Sequence, residues 1–189
     1  AIAAEKTLET GKLHGIVDYR YGYVLLNVVG YFIPHFIFGA QSAELTVNIL
    51  AIITASLSVI VFYLFTKELL GKNYIAFCSA LVFSFSPVYF SVTTYAKDHA
   101  SSMLFLLLAG YFLLKTLKTS IISYRILFGM LLGYSFFIRI TDVLITLPIF
   151  FIIYIFPEKF ITGNPDNFKK RFSFRNIAAI LFILAAALI

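Results

Sequence analysis

In the stretch TTYAKDHASS, Lys97, Asp98 and His99 set a cation, a carboxylate and an imidazole side by side just before an apolar run. A carboxylate there can accept a proton from a substrate hydroxyl or hold a divalent cation. It can also simply favour the positive end of a helix, an effect of about 1 kcal/mol. Asp98 is the candidate catalytic residue and a candidate metal ligand. Lys97 and His99 are candidate substrate-binding residues, with interfacial anchoring as the structural alternative. A second group, Arg139, Ile140, Thr141 and Asp142, joins two hydrophobic runs with almost no loop between them. Charge so close to hydrocarbon costs a few kcal/mol unless it meets water or a partner. Arg139 is therefore expected either to grip a phosphate through paired hydrogen bonds or to pair internally with Asp142 across one helical turn. Asp18 and Arg20, flanking Tyr19, form a third group, read either as a loop folding over a substrate or as solvated surface. His14 and His35 stand alone and no HxxxH or HExxH spacing occurs, which argues against a histidine-built zinc site.

The elements that must position these groups are hydrophobic. Of 189 residues, 61% are hydrophobic and 13% charged, too little polar material to cover a soluble domain of this size. Five runs stand out: 43–65, 74–92, 103–114, 126–138 and 143–156. A hydrocarbon core about 30 Å thick needs roughly 20 helical residues, so the shorter runs must borrow from their flanks. The expected architecture is an all-α, polytopic membrane helix bundle in the cell membrane, one domain over 1–189. Within it, 43–189 supplies the transmembrane helices. The segment 21–38, interrupted by Asn27, Gly30, Pro34 and His35, is expected to be an interfacial helix or a broken re-entrant piece closing an external stretch 1–42. The single cysteine, Cys78, excludes an internal disulfide. Because it does not begin with Met and the stretch from Asn176 stops within an apolar run, the sequence reads as a fragment.

Charge orients the bundle. The connections 67–73, 115–125 and 157–175 are rich in Lys and Arg, whereas 93–102 and 139–142 each balance one basic and one acidic residue. The positive-inside rule puts the first set in the cytoplasm and the second, with the N-terminal stretch, outside. The formal net charge of +6 follows from this topology and is not a nucleic-acid footprint. Gly71 is expected to close the first long helix, Pro87 to kink the next or end it early, and Gly129 and Gly133 in GMLLG to admit a close helix neighbour.

The order of these features resembles the multi-span region of GT-C superfamily glycosyltransferases. Within that superfamily it is most similar to the group containing the protein O-mannosyltransferases, aminoarabinose transferases and lipid A galacturonosyltransferases. The resemblance rests on the stretch from FGAQSAELTVNIL through the basic turn LLGKN, the helix ending in SFSPVYF, and the outer loop TTYAKDHASS. It continues through GMLLGYSFFIRITDVLITLP, and AAEKTLETGKLHG resembles the end of the family's first external loop. It implies transfer of a sugar from a polyprenyl-phosphate carrier to an acceptor glycan, lipid or protein at the extracytoplasmic face, with inversion at the anomeric carbon. A carboxylate then acts as base toward the acceptor, and cationic side chains or a Mg or Mn ion offset the charge of the leaving phosphate. Asp98 matches the acidic position after the family's third helix and Arg139 its basic outer turn. The family's main catalytic acid has no counterpart here and would fall upstream of Ala1, so this stretch alone is expected to be inactive. A secondary transporter or a non-catalytic membrane protein is the alternative reading; the transporter would require ionisable residues near the midplane and repeated halves, and neither is evident.

Overall fold

The computed structural model describes residues 21–38, 43–87, 89–91, 97–119 and 121–155, together with Thr10. Among them there is no strand. Six helices follow one another: α1 (Tyr21–Phe38), α2 (Ala43–Leu70), α3 (Asn73–Ser84), α4 (Lys97–Lys118), α5 (Ile122–Ile138) and α6 (Ile140–Ile155). The chain is thus all-α, as its hydropathy predicts. Asp18, Arg20 and the run from Asn176 lie outside the described residues.

Each helix ends for a local reason. α2 contains neither Gly nor Pro and runs for 28 residues. Its buried hydroxyls turn inward on the helix itself: Thr54 donates to the Ala51 carbonyl at 3.1 Å and Ser58 to the Thr54 carbonyl at 2.7 Å. Such back-bonding lets hydroxyls sit in an apolar helix without an unsatisfied group. The helix stops at Gly71, whose φ of +68° suits only a residue without Cβ and whose N–H reaches the Lys67 carbonyl at 2.9 Å. α3 is short because Pro87 cannot continue it. The chain leaves the helix at Phe85, and a new turn begins at Pro87, with the Phe90 N–H donating to the Ser86 carbonyl at 3.0 Å. The expected 74–92 run is therefore two helical pieces. Tyr89, on the second, donates its hydroxyl to the Ala55 carbonyl of α2.

α4 is the centre of the bundle. It packs along α2 on one side and α5 on the other, and α6 lies against it as well. Its inward face, Leu106, Ala109, Leu113 and Leu117, forms one continuous core with Phe128 and Leu132 of α5 and with Val143 and Ile153 of α6. Where α4 and α5 meet, Ser135 donates to the Ser102 carbonyl at 3.1 Å, both residues being fully buried. Gly129 and Gly133 lie on the buried face of α5, as the GMLLG spacing predicts. The outward surface is apolar: Ile52, Val82, Met130 and Ile145 are each at least 65% exposed, the inversion expected where lipid replaces water as solvent. Two helical segments, Asn48–Leu70 and Asp98–Lys118, are long and apolar enough to cross a membrane by themselves.

α1 is one uninterrupted helix through Gly30 and Pro34, so the broken re-entrant alternative does not describe it. It rests on α2 and α5. Gly22 sits so close to α5 that a Cβ there would lie 2.9 Å from the Phe137 carbonyl carbon, and Gly30 faces Leu50 of α2. Gly22 also accepts a hydrogen bond at its carbonyl from Tyr134, at 2.9 Å.

Candidate functional site

The two outer charged groups of the sequence are one cluster in space. Arg139 is the single residue between α5 and α6, held extended at φ −153° and ψ 105° with its N–H on the Ser135 carbonyl. This conformation swings its side chain back across the first turns of α4 and α6. Nη1 donates to Asp98 Oδ2 at 2.9 Å, and Nε to Asp142 Oδ1 at 3.3 Å. His99 Nδ1 lies 3.4 Å from the other oxygen of Asp142, Oδ2. Thr141 places its hydroxyl 3.5 Å from Nη2 and donates to Asp142 Oδ1 at 3.4 Å. The order is thus Asp98, Arg139, Asp142, His99, with one guanidinium bridging two carboxylates.

Burial separates the members. The Asp98 side chain is 7% exposed, that of Arg139 20%, Asp142 21% and His99 28%. Asp98 is the sealed inner end of the cluster and His99 its open edge. Both carboxylates belong to first helical turns, where the dipole also favours negative charge. The internal ion pair of Arg139 with Asp142 is present but incomplete, because Arg139 is shared with Asp98, which stands in the first turn of α4. Lys97 begins α4, and its side chain lies outside the described residues. The Asp98–Arg139 pairing, across 41 positions, and the His99–Asp142 contact are invisible in the sequence. Their only signal is that all four residues fall at ends that the charge pattern assigns to one membrane face.

Among the described residues no three His, Cys, Asp or Glu side chains come together, and Asp98 Oδ2 is occupied by Arg139.

The opposite end of the bundle is built differently. Glu68, at the close of α2, takes Lys115 at 3.2 Å and Lys118 at 3.0 Å, and Lys118 also donates to the Glu68 carbonyl at 2.6 Å. Lys115 lies seventeen positions after Asp98 on α4, about 25 Å of helix. That is close to the hydrocarbon thickness, so the two charged clusters bracket one bilayer-sized slab.

Between them, an apolar groove of about 430 Å³ runs along α4 and α6. His99 and Asp142 stand at its mouth; Met103, Leu107 and Ile145 form its walls, and Phe65 and Phe150 lie over Gly110 farther in. The sequence does not single out this groove, because it depends on which faces of two helices turn toward each other.

Residues 28–189 match the family model described as dolichyl-phosphate-mannose-protein mannosyltransferase. No curated protein and no solved structure matches the chain.

Proposed function

The chain belongs to the dolichyl-phosphate-mannose-protein mannosyltransferase family, and from that footing we propose that it moves a sugar from a polyprenyl-phosphate donor to an acceptor at the extracytoplasmic face. A membrane glycosyltransferase is the coarse assignment that family membership carries. The finer reading rests on one observation: a guanidinium at a helix–helix junction, locked by two carboxylates beside a groove suited to a lipid chain.

Glycosyl transfer from such a donor breaks the bond between the anomeric carbon and a phosphate oxygen, and the leaving phosphate gains one negative charge. A preorganised cation at that oxygen stabilises the transition state more than the ground state, which is what accelerates the step. Arg139 meets this requirement because Asp98 and Asp142 fix its plane before substrate arrives, and its Nη2, which the Thr141 hydroxyl approaches at a long 3.5 Å, is the group offered to a phosphate oxygen. Charge balance limits what Arg139 does alone. Arg139 with Asp98 and Asp142 sums to one negative charge, so further positive charge is needed to make the mouth attractive to an anion. Asp98, sealed against Arg139, serves in this reading as a positioning residue. Asp142, more exposed and facing His99, is the carboxylate in reach of an acceptor hydroxyl.

The test uses membranes containing the complete protein, with dolichyl-phosphate-linked mannose as first donor and a panel of other polyprenyl-linked sugars. Arg139→Ala is expected to raise the donor KM at least tenfold while leaving the acceptor KM within twofold. Equal loss for both substrates would remove the phosphate-gripping role. Absence of transfer by the wild-type protein with every donor would overturn the proposal itself.

A further inference from the structure

We propose that Ser135 is a positioning residue for Arg139: its hydroxyl fixes the register of α5 on α4 at which the guanidinium meets Asp98. The consequence for the donor rests on the phosphate-gripping reading above; the hold on the ion pair does not.

Three observations carry it. The first is that two contacts across this junction keep one register. Ser135 Oγ donates to the Ser102 carbonyl at 3.1 Å, and Arg139 Nη1 to Asp98 Oδ2 at 2.9 Å. Arg139 lies four positions after Ser135, and Asp98 four positions before Ser102. The contacts are thus successive rungs between antiparallel helices, about 6 Å apart along the axis. A slide or rotation of α5 against α4 disturbs both together.

The second is that Ser135 also holds Arg139 through the backbone. Its carbonyl accepts the Arg139 N–H at 2.8 Å, at the point where the chain leaves the helix and turns extended. One residue therefore ties Arg139 to the end of α5 and the end of α5 to α4. The third is where the hydroxyl points. A serine in an apolar helix can bond back to a carbonyl three or four residues earlier, as Thr54 and Ser58 do in α2. Ser135 is wholly buried and crosses to the neighbouring helix instead. That bond requires a close approach of the two backbones, which a side chain as short as serine permits.

A guanidinium that acts by preorganisation has to be held within about 0.5 Å of its working position by groups behind it. Asp98 and Asp142 fix its plane; Ser135 fixes where that plane sits.

The test has two arms on the complete protein. In the first, thermal unfolding in detergent compares Asp98→Asn in the wild-type and Ser135→Ala backgrounds. The melting shift caused by Asp98→Asn is expected to fall by at least half when residue 135 is alanine, because the pair it breaks is no longer held. Equal shifts in both backgrounds would overturn the proposal, and this arm needs no transfer activity. In the second, Ser135→Ala is expected to raise the donor KM at least threefold with the acceptor KM within twofold, and to add nothing to the donor KM in an Arg139→Ala background. Tyr134→Phe removes the adjacent hydroxyl's bond to α1 and leaves the α4 contact intact, so its donor KM should stay within twofold of wild type. Equal effects of Ser135→Ala and Tyr134→Phe, or full additivity with Arg139→Ala, would reduce Ser135 to a packing residue. Should the alanine variant fail to accumulate, Ser135→Cys keeps the shape with a weaker donor and should move both measurements the same way; wild-type values for it would overturn the proposal too. A wild-type donor KM for Arg139→Ala would fall on the phosphate-gripping reading instead, with the first arm still deciding whether Ser135 holds the pair.

Discussion

Arg139 interacts with two carboxylates that differ in burial, and that difference separates their roles. Asp98 is nearly sealed, so removing its charge leaves a guanidinium facing an uncharged amide inside the bundle. Breaking a buried pair by removing one partner costs about 3–5 kcal/mol, and the partial exposure of Arg139 puts this case at the lower end. Asp98→Asn is therefore expected to insert normally, lose most transfer activity, and unfold several degrees earlier in detergent. Asp98→Glu, which keeps the charge, should recover part of both. If Asp98→Asn retained full turnover, its role would reduce to stabilising the start of α4. Asp142→Asn presents a contrast. Its partner Arg139 keeps Asp98, and the site is open to water, so thermal stability should change by less than half as much. The sequence marks each of these residues singly, because charge in an apolar chain is conspicuous. It does not mark their pairing, since Asp98 and Arg139 are brought together only by the packing of α4 against the α5–α6 junction.

Helix ends in this chain are written in local chemistry, and helix contacts are not. Gly71 and Pro87 act through φ and the missing N–H, properties of one residue and its neighbours, so both stops are legible in the residues themselves. Close approach between helices requires knowing which face meets which. Gly129 and Gly133 have the expected spacing and are buried, yet the tight contacts with a Cβ's worth of space removed are at Gly22 and Gly110. Gly22 is the sharper case, because the obstruction is the α5 backbone at Phe137 and Ile138, which cannot rotate aside as a side chain can. Gly22→Ala should force α1 away from α5 and lose the Tyr134 hydrogen bond, a destabilisation of about 1–3 kcal/mol. Gly30→Ala meets only the flexible end of Leu50 at 3.3 Å and should be tolerated, and Tyr134→Phe should cost about 0.6 kcal/mol. Thermal unfolding of the purified protein in one detergent ranks the three. Equal stability for Gly22→Ala and Gly30→Ala would mean that α1 is not docked through Gly22. The same contacts place α1 relative to the site. Gly22 touches the residues just before Arg139, and Leu50 lies 18 residues, about 27 Å of helix, before Glu68. Both contacts therefore fall at the end of the bundle that holds the candidate site, which supports a helix lying across that end over a sixth membrane span.

The bundle as a whole is polarised along α4. One end gathers Asp98, His99, Arg139 and Asp142; the other gathers Lys67, Lys72, Lys115, Lys118 and Arg125, with Glu68 the carboxylate pairing two of these lysines. Topology follows the basic residues and takes little account of acids, so Glu68 does not weaken the assignment of that end to the cytoplasm. This polarity also weighs against the transporter alternative. Among the described residues, the ionisable side chains of α4 lie in its first and last turns, leaving no charged group near the midplane to bind or relay an ion. Sidedness is directly measurable, because Cys78 is the chain's single cysteine and can be replaced by serine on the exposed face of α3. In a Cys78→Ser background, Thr141→Cys places a thiol at the exposed edge of the site and Lys72→Cys places one in the turn after Gly71. A maleimide that cannot cross membranes should label Thr141→Cys on intact cells and label Lys72→Cys only after permeabilisation. The reverse pattern would turn the site toward the cytoplasm, where a donor presented at the outer leaflet could not reach Arg139, and the proposed transfer would fail however well the local geometry suits a phosphate.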